Sequence, residues 1–345
     1  MDVSVVAVVM AGGTGTRLYP ASRADRPKQF RSFGSERSLL ARTVARCEFA
    51  DQVVVLTGER HRERVREHAP DADVLVEPVA RDTGPALAFA SFWLDGLFEE
   101  CVMLAVPSDH VVGEGFAETA RRAAQVAVET EGLVTLGVEP TRPATEYGYV
   151  EPADSEGEYC PVTRFREKPN PETAAELVER GGLWNAGIFA WTPDAFLGAV
   201  RDSPLAGLLD HLEAGEVNVG FEAVDAVSVD YAIMEWAAST EGDPEVYVVP
   251  AQFAWDDLGS WDALARLFEG DSNDNVALVE GDADKALLAV DAADNVVATD
   301  DKHVSLVGVS DLVVAAFDDR VLVVPKDEAQ RVREVVAALR EEGRF

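Results

Sequence analysis

Several short stretches of the chain hold residue types at spacings suited to phosphate and metal chemistry. The first is Ala11-Gly12-Gly13-Thr14-Gly15-Thr16-Arg17. Glycines admit positive φ and let a backbone approach a ligand closely. A glycine-rich turn also presents a nest of N–H groups that suits phosphate. Arg17 adds a forked cation and Lys28 a point charge. Ser108-Asp109 and the Asp256–Asp257 pair supply acids. Magnesium is commonly held by one or two carboxylates, with phosphate and water completing its shell. Glu167 and Lys168 place an acid beside a cation, and Asn185 is a polar residue inside an apolar run, where it needs partners. Two common motifs are excluded. The spacing Gly13, Gly15, Leu18 lacks the third glycine of a dinucleotide fingerprint, and the chain has no Gly-Lys pair, hence no Walker loop.

The elements around these residues read as an α/β protein. Val5–Met10, Val53–Leu56, Val74–Val76, Cys101–Val106 and Leu133–Val138 are apolar runs suited to buried strands. Ser38–Glu48 and Phe116–Thr130 have helical periodicity. Asp82 or Thr83 can cap a following helix, with Pro85 in its first turn. Asp109 follows a strand, where α/β sheets bind ligands. Arg164, Arg166 and Lys168 alternate, share one face, and would form a second positive wall. Glu59–His68 reads as a charged surface helix with His61 and His68 solvated. Asp271–Asp274 is polar and reads as a linker. Val276–Pro325 carries short Val-rich stretches between Asp, Asn and Gly turns, a β-signal, and Glu328–Glu342 is an amphipathic helix.

Composition narrows the partners. The 345 residues hold 30 Lys and Arg against 63 Asp and Glu, a formal net charge of −33. That balance argues against nucleic acid or an anionic membrane as partner. The acids are spread along the chain, and lysine is limited to Lys28, Lys168, Lys285, Lys302 and Lys326. This pattern resembles proteins of salt-accumulating halophiles, whose self-repulsion is screened by molar salt. Between Thr14 and Gly34 the trend reverses: Arg17, Arg23, Arg26, Lys28 and Arg31 face a single acid, Asp25, which points to a polyanionic ligand. No apolar run reaches the ~20 residues of a membrane span. No basic leader precedes the first strand. Cys47, Cys101 and Cys160 have no metal spacing and read as reduced thiols of a cytoplasmic protein.

The G-G-x-G-x-R-x-x-P pattern followed by Pro27-Lys28-Gln29 resembles the signature of the sugar-nucleotidyltransferases. Glu77-Pro78-Val79-Ala80-Arg81-Asp82-Thr83-Gly84-Pro85 resembles the E-P-x-x-R-N-T-A-P segment of the mannose-1-phosphate guanylyltransferases, with Asp82 for Asn and Gly84 for Ala. Tyr147-Gly148-Tyr149, Glu167-Lys168-Pro169, Trp184-Asn185-Ala186-Gly187, Ser228–Glu235 and Trp255–Trp261 also follow that family, with Asp256 where serine is usual. The resemblance covers nearly the whole chain. It implies a Rossmann-like mixed, mostly parallel sheet with helices on both faces over residues 1–270. A small C-terminal β-module, a left-handed β-helix or prism-like fragment ending in a helix, then takes residues 271–345. It implies no extra isomerase domain of the kind carried by longer relatives.

The implied reaction joins GTP and mannose 1-phosphate into GDP-mannose and pyrophosphate with Mg²⁺. Arg17, Lys28, Asp109 and Asp257 would be catalytic, with the two aspartates holding the metal. Ala11, Gly12, Gly13, Thr14, Gly15, Thr16, Glu77, Arg81, Asp82, Thr83, Pro85 and Ser108 would bind nucleotide, and Glu77 is the first choice for guanine, since a carboxylate accepts from adjacent donors. Gly148, Glu167, Lys168, Asn185 and Gly187 would bind the sugar phosphate. Asp230 is read as a cap or an orienting residue. A sister enzyme using another base or sugar, or a silent regulatory paralogue, is the alternative. The C-terminal module could mediate a homodimer.

Overall fold

Val5, Val6, Ala7, Val8 and Val9 are all buried in the structure, a computed structural model that describes residues 3–13, 15–154, 157–239, 244–279 and 287–345. Successive strand residues point to opposite faces. Burial of both sets therefore means that this strand is covered on both sides. It is β1 (Ser4–Met10) of a nine-stranded sheet. The others are β2 (Gln52–Gly58), β3 (Asp73–Glu77), β4 (Cys101–Pro107), β6 (Leu133–Val138), β7 (Tyr149–Pro152), β8 (Cys160–Arg166), β9 (Leu183–Trp191) and β10 (Val246–Pro250). Two-residue strands β5 (Val111–Val112) and β11 (Trp255–Asp256) lie outside that sheet. The order is β3-β2-β1-β4-β9-β6-β10-β8-β7. Strands β3, β2, β1 and β4 pair in parallel, as do β6 and β10. Strand β9 runs against β4 and β6, and β8 against β10 and β7. Only β8 and β9 oppose the rest, so the sheet is mixed and mostly parallel, as expected.

The helix Thr83–Asp95 buries Leu87, Ala88, Ala90 and Leu94 in one core with Val6 and Val8 of β1. Phe196, Leu208 and Phe221 join that core from the helices Pro193–Arg201, Ala206–Glu213 and Val217–Ala223. The helix Phe116–Thr130 buries Phe116, Ala120, Ala123, Ala124 and Ala127, an amphipathic spacing of three and four.

Packing separates the described residues into two units. One takes the chain up to Gly12, Thr43–Ser108 and Val112–Trp255, and holds the nine-stranded sheet. The other takes Gly13–Arg42, Asp109–Val111 and Asp256–Phe345.

In the second unit, β12 (Val276–Val279), β14 (Val296–Thr299) and β16 (Leu312–Phe317) stack in parallel. Strand β13 (Leu287–Val290) stacks on β15 (Val304–Val307), and β17 (Arg320–Pro325) returns antiparallel to β16. The chain thus alternates between two parallel stacks, a β-helix-like coil. At one corner, Asn295 Nδ2 donates to Asn275 Oδ1 at 2.9 Å, to Ala293 O at 2.9 Å and to Val309 O at 3.1 Å. Leu312 N donates to Asn295 Oδ1 at 3.0 Å. Asp274, Asp294 and Asp311 stand just before β-strand rungs at φ of 57°, 56° and 57°, left-handed positions that Asp tolerates through its short polar side chain.

Leu18, Tyr19, Phe33 and Leu39, from the glycine-loop segment, share a core with Val276, Val296, Val313 and Phe317 of the coil. Trp261 Nε1 donates to Tyr19 O at 2.9 Å. Three expectations change here. Asp271–Asp274 is not a loose linker, since Asp271 Oδ1 accepts from Asn273 N at 2.8 Å and Asn275 N at 3.0 Å, which makes a closed turn. The final helix, Val332–Glu341, is preceded by a 3₁₀ turn, Lys326–Arg331. His61 is buried, 4% exposed, and accepts from Arg60 Nε at 2.9 Å, so it is not a solvated side chain. Burial, with Arg60 and Arg64 near, lowers its pKa to about 4.

Candidate functional site

The second unit carries the cationic and acidic residues expected at the phosphates. Thr14 lies outside the described residues. Gly15 has φ 59°, and a Cβ there would stand 2.5 Å from Lys28 Cβ, so only glycine fits on both counts. A 3₁₀ turn, Thr16–Leu18, follows and leaves Arg17 partly exposed. Lys28 is buried, and its Nζ donates to Asp257 O at 2.9 Å and Leu258 O at 3.0 Å while pairing with Asp109 Oδ2 at 3.0 Å. All three ammonium hydrogens have acceptors in the protein. Lys28 is thus a strut between the Asp109 and Asp257–Leu258 turns, and it meets a phosphate only by exchanging one of these partners.

Burial alone would raise the Asp109 carboxyl. Lys28 and His110 outweigh it and hold the group below the usual carboxylate range. Arg17 Nη2 lies 3.8 Å from Asp257 Oδ2. Asp256 is spent on structure, because Arg266 reaches its Oδ2 from Nη2 at 2.9 Å and Leu258 N reaches its Oδ1 at 2.8 Å. Asp109 and Asp257 therefore offer hard oxygen donors within one unit. Among the described residues no group of three or more His, Cys, Asp or Glu could hold a metal. Two carboxylates without a closed cage match magnesium's habit of sharing its shell with substrate phosphate.

The basic segment is less available than its composition suggests. Arg23 and Arg26 both bind Asp318, at 2.5 Å and 2.8 Å, and Arg31 lies 5.0 Å over the Phe317 ring. Arg17 faces Asp257, and Lys28 faces Asp109.

In the first unit, Glu77 ends β3 and is 5% exposed. Its Oε2 is buried without a hydrogen-bond partner, and a Cβ on Gly12 would stand 3.3 Å from its Oε1. Burial, then the nearby Asp82, pushes its carboxyl up to about 7. Asp82 caps the helix Thr83–Asp95, accepting from Thr83 N at 2.7 Å, at φ 69° and ψ −177°. A non-glycine residue there costs ~1–3 kcal/mol and persists where its surroundings over-determine it. Pro85 is buried in the first turn of that helix.

Arg81 is held by a neighbouring helix. Its Nε donates to Phe221 O at 2.8 Å and its Nη2 to Glu222 O at 3.3 Å, tying down the carboxyl end of the helix Val217–Ala223. Thr83 Oγ1 accepts from Val229 N at 2.9 Å. Ala11 and Ser108 are buried, the first donating to Leu56 O at 2.8 Å and the second to Met10 O at 3.1 Å.

The residues expected at the sugar do come together. Gly148 passes so close to Glu167 that a Cβ would collide with its carboxylate. Lys168, at φ 43°, pairs with Glu167. Asn185 Nδ2 donates to Asp230 Oδ1 at 2.7 Å, and its Oδ1 accepts from Gly187 N at 3.1 Å and Thr135 Oγ1 at 2.8 Å. Sequence reasoning gave Asp230 only an orienting role and did not single out Thr135; the one available signal was an acid opening an otherwise apolar helical turn. The second positive wall is neutralised: Arg164 faces Glu151 at 3.6 Å and Arg166 faces Glu235 at 3.7 Å.

The family described as Nucleotidyl transferase matches residues 6–274, and the MannoseP isomerase/GMP-like beta-helix domain matches residues 285–339. The alginate biosynthesis protein AlgA of Pseudomonas putida is 33% identical over 364 residues, covering 99% of this chain and 72% of that protein. The mannose-1-phosphate guanylyltransferase RfbM of Salmonella typhimurium is 32% identical, covering 99% of this chain and 74% of that protein. A crystal structure of mannose-1-phosphate geranyltransferase from Thermus thermophilus is similar at a TM-score of 0.87 and 36% identity, covering 98% of this chain and 99% of that one.

Proposed function

Because the chain belongs to the nucleotidyl transferase family, we propose that it transfers GMP from GTP to α-D-mannose 1-phosphate, giving GDP-mannose and pyrophosphate. The observation that carries this reading is the meeting of Gly15, Arg17, Lys28, Asp109 and Asp257, a phosphate-type turn beside two carboxylates. An oxygen of the sugar phosphate attacks the α-phosphorus. A P–O bond forms there, and the bond to the bridging oxygen of pyrophosphate breaks. The attacking oxygen is already anionic, so no protein nucleophile is needed, and the chain contributes positioning and charge.

The amides of Gly12, Gly13, Thr14, Gly15 and Thr16 would hold the triphosphate, and Arg17 would follow the charge that grows on the departing pyrophosphate. Lys28 would share its charge with the reacting phosphates while it ties the two acidic turns. Asp109 and Asp257 would hold Mg²⁺, which supplies charge neutralisation at the phosphate oxygens. Lys168 would aim the sugar phosphate, and Glu167, Asn185, Gly148 and Gly187 would bind the sugar. Glu77, with the Arg81–Pro85 loop, would read guanine by accepting from N1–H and N2–H₂. In this reading residues 1–270 carry catalysis and residues 271–345 the coil and terminal helix.

Two further assignments belong to the same reading. A second copy would pair along β17, whose Val321 and Val323 are 66% and 60% exposed on the sheet edge. Sedimentation velocity on Val323→Lys should show monomer where the parent chain is a dimer; a monomeric parent removes the idea. The three buried free thiols suit a reducing cytoplasm.

Pyrophosphate release on mixing the protein with GTP, mannose 1-phosphate and Mg²⁺ tests the reaction, with other nucleotide and sugar-phosphate pairs as the contrast. Arg17→Ala and Asp257→Ala should each lower turnover at least ~100-fold with the fold intact. Near-normal turnover in either variant would take that residue out of the site.

A further inference from the structure

The amide of Asn185 has a fixed orientation. Its Oδ1 accepts from Gly187 N, and a backbone N–H can only donate, so the oxygen and nitrogen cannot be exchanged. Thr135 Oγ1 takes the second lone pair. One Nδ2 hydrogen goes to Asp230. What Asn185 has left is a single N–H, a donor for a ligand oxygen.

Asp230 opens a π-helical turn, Asp230–Met234. Such turns are rare and recur at functional sites. The ionisable groups that face it are Glu167 and Lys168 at the end of β8, while Tyr231, next in the chain, faces Lys168. The Glu167 side chain is 6% exposed. Ionising Asp230 sets a second carboxylate, beside that of Glu167, against one ammonium. Burial first, then Glu167, pushes Asp230 up to about 7, against the pull of Lys168. With Asp230 protonated, one carboxylate balances Lys168. With it ionised, two do, and an arriving phosphate meets net negative charge.

We propose that Asp230 is the positioning residue of the sugar-phosphate cluster, turning the one spare N–H of Asn185 to the ligand and, through Glu167, setting how much of the Lys168 charge is left for the phosphate. This rests on the reading that Lys168 meets the sugar phosphate. Asp230 touches no reacting atom, so its effect lies in the KM for the sugar phosphate and in the pH dependence of that KM.

The test compares Asp230→Asn and Asp230→Ala in the full chain, with thermal unfolding as the fold control. In the parent, the KM for sugar phosphate should rise ~10-fold between about pH 6 and about pH 8, as Asp230 loses its proton. Asp230→Asn keeps an acceptor for Asn185 and fixes the charge at zero. Its KM near pH 6 should stay within about threefold of the parent, with the rise at higher pH removed. The ligand's own phosphate titration is common to both proteins and cancels in their ratio. Asp230→Ala releases Asn185 and should raise the KM for sugar phosphate ~10-fold at every pH, with the KM for GTP within about twofold. A pH curve for Asp230→Asn parallel to the parent's would overturn the proposal, as would equal loss for both substrates in Asp230→Ala. If Asp230→Ala does not fold, the Asp230→Asn curve decides alone. Preference for a sugar phosphate other than mannose 1-phosphate would overturn the substrate reading instead, and the same comparison made with the preferred substrate still tests Asp230.

Discussion

Glu77 is a carboxyl that the fold would be steadier without. Its pKa is raised from 4.5 to about 7 by burial and by Asp82, so between those values the folded chain binds more protons than the unfolded one. Stability contributed at this position therefore falls as pH rises through that window. Glu77→Gln should melt higher than the parent above neutrality, by on the order of 2–3 kcal/mol. The same variant should bind GTP worse. Accepting from both guanine donors requires the ionised form, so the parent's KM for GTP should fall as pH is raised through about 7. In Glu77→Gln it should be flat and at least ~10-fold higher. Calorimetric melts and GTP titrations across that range check both halves; a variant that is no steadier, or binds GTP normally, removes Glu77 from the base site. At this scale the sequence was partly legible. Asp109, Lys28 and Asp257 were visible as types following strands and turns. That Lys28 would give its hydrogens to backbone carbonyls 229 and 230 residues away was not, because nothing local encodes such a pairing. The bonds from Arg81 to the carbonyls of a helix end 140 and 141 residues on were equally unreadable.

Among the elements, the coil corner is where one side chain carries several connections. Asn295 is fully buried and joins three successive turns of chain through Asn275, Val309 and Leu312. Asn295→Ala would orphan several buried groups at once, and each costs ~1–3 kcal/mol. The expected result is loss of the coil's protection in hydrogen exchange, read against unchanged protection of β1 and β4 as the internal control. Protection equal to the parent's across the coil would refute it. Strands were the most readable elements, since Val5–Val9 and Cys101–Val106 are continuous apolar runs with no helical alternative at that length. The reversed direction of β8 and β9 was not readable, because direction is a property of connections and not of the strand's own residues. The turn at Asp271 looked like a linker because closed Asx turns and loose loops use the same residues.

For the whole molecule, the net charge of −33 sets the environment. Like charges repel over roughly 10 Å in dilute salt and over about 3 Å in molar salt. The unfolding midpoint should therefore rise steeply with KCl toward the molar range, and the near-ultraviolet ellipticity should weaken on dialysis into dilute buffer. A midpoint indifferent to salt would show the acids to be well separated instead. Within the second unit, Arg23 and Arg26 close on Asp318, Arg31 on Phe317, and Trp261 on Tyr19. The turn proposed to hold the triphosphate thus leads directly into residues, Leu18 and Tyr19, that share the C-terminal coil's core. A lesion near the tail, such as Asp318→Ala, removes no proposed substrate contact, yet it should loosen the Arg23–Arg26 segment that follows the glycine turn. Damage of that kind would register as weakened nucleotide grip, a defect acting at a distance of nearly three hundred residues in sequence.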